Sequence, residues 1–381
     1  MTAMRADSFV IQRALSVVAA WPRPARQGEL PRRLLITSSG GLGDGVLLSS
    51  IVQHLQRSSD GIEVGILAGF GARRALATLP GIYLHRECGS TRNITAIWPA
   101  IRELRARRYE AVLATDHTAL STAAMLCLAG IPRRAGFAPL GDSLQKHFYT
   151  EVIQLNEDES QWSWLLRLAR LVEPKLAATL EVLPLPITPE VERKVEQWWR
   201  AKISPDSGPV LTLHLGAGAV YRRWPVARFI RVAERLRKLA PAMTVLLTGR
   251  GEESGLIGEF SRSYAGRSID VSGFESVSEI AAILRRCDLV ISNDSGIMHL
   301  GAAMGAPTVG LFGPSTPQQW APRGPRASFV CARGIPCSPC MRVYRGPAPT
   351  ACANPIQLQC LLAIDVDEVL QAVQRVTARW R

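Results

Sequence analysis

No apolar run in the 381-residue chain reaches the ~20 residues that a helix needs to cross a bilayer, so an integral helical membrane protein is not expected. Aromatic residues are sparse at 6%, and acids are outnumbered, with 32 Asp and Glu against 45 Lys and Arg. The formal net charge of +13 points to acidic partners: phosphates, anionic lipid heads or nucleic acid. Nucleic acid is disfavoured, because zinc-finger spacing, a Lys-rich tail and any recognition-module signature are all missing. Residues 9–21 are apolar but lack a clean small-residue cleavage site, so a secretory leader is not expected. The eight cysteines are therefore expected as reduced cytoplasmic thiols. What is present suits a folded protein: 47% apolar residues, and a length that favours two domains over one core.

Residues 1–32 form an extension. Its apolar stretch is interrupted by Gln12 and Arg13 and broken by Trp21-Pro-Arg-Pro. It fits either a basic amphipathic helix on a membrane surface or a helix packed on its own domain. A short strand at 34–39 then runs into Gly40-Gly-Leu-Gly-Asp-Gly and a helix over 46–57. A dinucleotide fingerprint would need glycine three residues after Gly43, where Val46 stands, and no Gly-Lys-Ser/Thr follows to make a P-loop. Asp44 is a carboxylate at a helix start beside glycines, either a plain cap or a working group. Strands near 63–67, 82–84 and 111–114 alternate with helices at 72–79, 94–107 and 119–129. That alternation predicts an α/β fold with a parallel sheet covered on both faces. Arg73, Arg74, Arg92, Arg133, Arg134 and Lys146 fall in or near loops; singly they are solvated charges, together a groove for an anionic acceptor.

Proline punctuation at Pro174, Pro184, Pro186 and Pro189, followed by a charged helix over 189–202, marks a hinge around 184–208, after which the α/β pattern restarts. The expected division is an extension at 1–32, a first domain at 33–190, a linker at 191–207, a second domain at 208–364 and a terminal helix at 365–381. A strand at 210–215 leads into a turn in which Gly216 and Gly218 precede Arg222-Arg-Trp-Pro. Glycines admit a ligand close to the backbone, and guanidinium forks bind phosphate oxygens. Residues 288–315 read as strand, polar turn (Asp294, Ser295, Gly296), helix carrying His299, and second strand. Such an edge is where open α/β sheets bind ligands, and helix-start N–H groups favour anions. Cys337-x2-Cys340, then eleven residues to Cys352 and seven to Cys360, offers four thiols, either a tetrahedral structural site for zinc or iron or free cysteines.

Four segments carry a resemblance: Ser38-Ser-Gly-Gly-Leu-Gly-Asp; His214-Leu-Gly-Ala with Arg222-Arg-Trp-Pro; Asn293-Asp-Ser-Gly-Ile-Met-His-Leu; and Leu311-Phe-Gly-Pro-Ser. In this order the chain resembles the ADP-heptose:lipopolysaccharide heptosyltransferases of glycosyltransferase family 9. The resemblance implies a GT-B architecture of two Rossmann-like domains facing across a cleft, with a C-terminal helix crossing back to the first. It implies inverting, metal-independent transfer from an ADP-sugar to an anionic lipopolysaccharide-core or similar glycan, at or near the cytoplasmic membrane face. By that likeness Asp44 is the general base; Gly43 and the loop arginines Arg73, Arg74, Arg133 and Arg134 are the candidates for the acceptor side. Gly216, Gly218, Arg222, Arg223, Glu252, Asp294, Ser295, Gly296 and His299 fall on the donor side. Arg222 departs from the family pattern, which usually has Lys there. No cofactor is implied for catalysis, and a metal on the cysteines would be structural. Two alternatives stay open: the same fold with another nucleotide sugar and a protein or capsule acceptor, or a nucleotide-sugar-binding protein without activity.

Overall fold

The computed structural model describes residues 31–58, 61–85, 94–116, 120–138, 144–156, 158–204, 207–342 and 349–380. The readings made on residues 1–30 and on Arg92 lie outside these. The chain divides into two compact units, residues 1–180 and 181–381.

The first unit alternates strand and helix: β1 (Arg33–Ser38), α1 (Leu42–Ser58), β2 (Glu63–Ala68), α2 (Phe70–Leu76), β3 (Ile82–Leu84), α3 (Ile94–Arg107), β4 (Ala111–Ala114), α4 (Leu120–Leu128), β5 (Arg133–Ala138), β6 (Glu151–Gln154) and α5 (Gln161–Val172). The six strands pair in the order β3-β2-β1-β4-β5-β6, all parallel. Leu34, Leu35 and Ile36 of β1 are fully buried in succession, as a strand covered on both faces requires. Strand order reverses between β1 and β4, which makes the space beyond their carboxyl ends the crevice of this half.

The second unit contains α6 (Pro189–Lys202), β7 (Val210–His214), α7 (Val226–Leu239), β8 (Thr244–Thr248), α8 (Ser254–Ser263), β9 (Arg267–Asp270), α9 (Val277–Leu284), β10 (Leu289–Asn293), α10 (Gly296–Ala303), β11 (Thr308–Phe312), α11 (Pro317–Trp320), β12 (Ala327–Cys331), α12 (Gln359–Leu362) and α13 (Val366–Val376). Its six parallel strands run β12-β11-β10-β7-β8-β9, with the reversal between β7 and β10. Among the described residues, no helix is long and apolar enough to cross a membrane.

Two expectations about boundaries need correction. The charged helix expected at 189–202 is present as α6, but it belongs to the second unit rather than to a linker at 191–207, and the units divide at residue 180. Thr188 caps α6 by accepting from the Val191 N–H at 3.4 Å. The helix docks on α9 through buried Val195, the Trp198–Phe274 edge contact at 5.2 Å and the Glu192 pair with Arg285 and Arg286. Its abundant charge hid a narrow apolar stripe. The terminal helix, expected to return to the first domain, instead packs in the second unit against β11, β12 and α7. Val369, Ala372, Val373 and Val376 form one face at helical spacing, and with Trp380 they join the core built around Leu211, Leu213 and Leu311.

Candidate active site

Asp44 stands in the first turn of α1, which begins at Leu42 rather than at the expected Val46. It is half-buried. One carboxylate oxygen, Oδ2, accepts the Gly41 N–H at 2.7 Å, and the other, Oδ1, accepts a hydrogen bond from the Gln161 amide at the start of α5. The glycines around it are required by close backbone approach. A Cβ on Gly45 would lie 2.4 Å from the Ala72 carbonyl oxygen, and one on Gly71 would lie 2.8 Å from that of Gly40. The loop and α2 are thus in backbone contact, tied further by the Ala72 N–H to Gly40 carbonyl bond at 3.0 Å. Gly43 is buried in the same turn. Beside it, at the end of β4, Asp116 is buried; it accepts the Thr37 hydroxyl at 3.3 Å and the Ser39 N–H, fixing where β1 gives way to the loop.

The arginines expected to line an acceptor groove are otherwise engaged. Arg133 forms a two-pronged pair with Glu151, at 2.5 and 3.1 Å, and also donates to the Leu171 carbonyl. Arg134 is buried, donating to the Phe148 and Ile131 carbonyls at 2.6 Å each, and burial lowers its pKa. Both open β5, so they stand at the amino edge of the sheet, opposite the carboxyl ends that Asp44 follows. Their assignment to the acceptor is therefore corrected: they hold the fold. Arg73 donates to the His85 carbonyl, and Arg74 lies over the Phe70 ring at 5.9 Å.

In the second unit, Asn293 organises the site. Fully buried at the end of β10, it donates to the carbonyls of Leu215 (2.8 Å) and Gly216 (3.1 Å) and accepts the Trp224 N–H (2.9 Å). These bonds fix both ends of the turn that carries Arg222. Arg222 pairs with Asp294 Oδ2 at 2.8 Å and also donates to the Asp294 carbonyl, while the Ser315 hydroxyl donates to the same carboxylate. Arg223 turns back to the Ala217 carbonyl at 3.2 Å. The Ser295 hydroxyl lies 3.0 Å from that of Ser292, Gly296 opens α10, and His299 is buried within it.

Glu252, expected on the donor side, lies in the short 3-10 turn that follows β8. It is exposed, whereas its neighbour Glu253 is buried beneath Gly216, where a Cβ would lie 1.5 Å from the Glu253 Oε1. Glu253 also accepts the Arg250 N–H at 2.9 Å, so the short turn of 3-10 helix at Gly251–Glu253 aims this acid inward. By contrast, a Cβ on Gly218 would meet nothing within 4 Å. His214 is buried with Nδ1 3.1 Å from the Thr248 hydroxyl; burial lowers its pKa, and the Glu253 charge opposes that shift.

For the four cysteines, the sequence leaves a tetrahedral metal site and free thiols both open. All are free thiols, Cys337 and Cys340 exposed, Cys352 half-buried and Cys360 buried. Among the described residues, no three His, Cys, Asp or Glu side chains are grouped to hold a metal. Burial pushes the Cys360 thiol up to about 11, with the thiols of Cys340, Cys337 and Cys352 adding to the shift.

Sequence reasoning missed Gln161, Asp116 and the role of Asn293. Asn293 carried a signal, a polar residue ending an apolar strand; Gln161 carried none, being remote from Asp44 in sequence.

Two Rossmann-type units with charged residues at both strand-order reversals are built as GT-B glycosyltransferases are. Residues 97–345 match the sequence profile of glycosyltransferase family 9 (heptosyltransferase), and the chain belongs to that family. It is similar to lipopolysaccharide heptosyltransferase 2 of Escherichia coli (strain K12), 20% identical over 318 residues, or 78% of this chain and 87% of that protein. Lipooligosaccharide heptosyltransferase 2 of Haemophilus influenzae is 27% identical over 114 residues, a match spanning 29% of this chain and only 32% of that protein. The solved structure of E. coli ADP-heptose LPS heptosyltransferase II shares the fold, with a TM-score of 0.68 at 19% identity, covering 90% of this chain and 98% of that one.

Proposed function

We propose that this protein transfers a heptose from an ADP-sugar to a lipopolysaccharide-core or similar anionic glycan, inverting the anomeric carbon and using no metal. The carrying observation is Asp44, a half-buried carboxylate at the carboxyl edge of β1, oriented by a donor on each oxygen. As base it removes the proton while the acceptor oxygen attacks the anomeric carbon. On the donor side, Arg222 offsets the charge that develops on the departing diphosphate, and Asp294 holds it in place through their ion pair. The names of the relatives support heptose as the sugar and a lipopolysaccharide as the acceptor. The net charge of +13 supports an anionic acceptor at the cytoplasmic membrane face.

One observation favours a second reading. Arg222 stands where the resemblance expects Lys, and a planar fork does not present its charge as an ammonium does. Another nucleotide sugar, with a different acceptor, would suit such a change. A thermal-shift screen of ADP-, UDP- and GDP-sugars separates the two: stabilisation by ADP-sugars supports the first, and by UDP- or GDP-sugars alone the second. Asp44→Ala should lower the transfer rate about 10²–10⁴-fold and leave ADP-sugar affinity nearly intact. Unchanged turnover removes Asp44 as base.

A further inference from the structure

Gln161 opens α5 immediately after its cap, Ser160, whose hydroxyl accepts the Ser163 N–H at 3.2 Å. The helix start is thus satisfied without Gln161, and the side chain is only 3% exposed. It reaches across 117 positions of sequence to donate through Nε2 to Asp44 Oδ1. A carboxylate only accepts, so the NH₂ half of the amide must face Asp44, and this fixes which way the amide lies. The oxygen half is then buried with no donor among the described residues.

A buried oxygen without a donor costs stability, and a methionine of similar length would remove that cost. The amide is therefore not what packing alone would select at position 161. Among the described residues, the one polar contact of its side chain is with Asp44. On the other side of the same carboxylate, the Gly41 N–H occupies Oδ2 at 2.7 Å. One donor on each oxygen fixes the carboxylate plane, and the lone pairs left over set the direction from which a hydroxyl proton can arrive.

We propose that Gln161 is a positioning residue for the base: its amide holds Asp44 in the orientation that receives the acceptor proton. This rests on Asp44 acting as base. The test compares Gln161→Met with the parent chain by thermal denaturation and by transfer kinetics with ADP-heptose across pH. Expected are a Tm equal to or above the parent's and a kcat lower by about 30-fold or more, with the donor KM nearly unchanged. The acidic limb of the kcat profile should also move to higher pH, because the ionised carboxylate has lost a donor. A Tm several degrees below the parent's, or a kcat and acidic limb unchanged in Gln161→Met, overturns the positioning role. Failure of the parent chain to transfer overturns the reading of Asp44 itself; a transferring parent with an unaffected variant overturns Gln161 alone.

Discussion

Asn293 engages its amide oxygen once and its amide nitrogen twice on a turn that begins 78 residues earlier in the chain, and the ion pair of Arg222 with Asp294 depends on that anchoring. At this scale the motif residues were readable because they sit where strand turns to helix, and polar groups there face a crevice rather than a core. Arg133 and Arg134 were misread for the converse reason. Their charge was visible, but their place at the start of β5 depends on which strands pair, and composition does not carry that. Glu252 and Glu253 differ by one residue in a 3-10 turn, and only the folded backbone decides which of them points inward. His214 yields a pH prediction. Burial lowers its pKa from the ordinary 6.5, so below that value the unfolded chain binds a proton that the folded chain resists. Its stabilising contribution is therefore full above about 6.5 and is lost as pH falls through the lowered value. His85, also lowered by burial, acts in the same sense. Thermal denaturation between pH 7.5 and 5 should show Tm falling, with a shallower slope in His214→Gln; equal slopes would assign the loss elsewhere.

Among the elements, the two glycine-bearing turns look alike in sequence and differ in use. Gly45 is glycine because the Ala72 backbone lies against it, whereas a Cβ on Gly218 would meet only open space. Gly45→Ala should therefore destabilise the chain by about 1–3 kcal/mol, read by denaturant unfolding, since neither backbone can yield easily. Gly218→Ala should change stability by less than about 0.5 kcal/mol and act instead on the donor KM. Comparable stability losses in the two variants would contradict this division. The strand–helix alternation was legible in strands that are short, apolar and bounded by turns, such as β1, β2, β4, β7, β10 and β11, whereas β6 (Glu-Val-Ile-Gln) and β9 (Arg-Ser-Ile-Asp) are too polar to read as buried strands. Helix α6 was legible as a charged helix, but its place in the second unit was not, because charges that read as a solvated linker are pairing partners of α9 and the residues that follow it. The partner of α13 was not legible at all, since an amphipathic stripe says that a face is covered but not by what.

For the molecule as a whole, each unit carries its own core, and α13 belongs to the second. Val373→Asp, which puts a carboxylate into that core, should cost about 3 kcal/mol or more. Hydrogen exchange should then show protection lost in β11, β12 and α7 but kept in β1, β2 and β4. Loss spread equally over both sheets would contradict separate cores. The two sheets also repeat one strand order, β3-β2-β1-β4-β5-β6 answering to β9-β8-β7-β10-β11-β12. The loop after the first strand of each half, at equivalent addresses, leads in one case to Asp44 and in the other to Arg222. One scaffold, used twice, thus carries a carboxylate beyond the first strand of one half and a guanidinium beyond that of the other. On the proposed reading the halves are exchangeable modules: grafting the turns of residues 181–381 from a relative is expected to change donor preference and to leave Asp44 and its supports as they are.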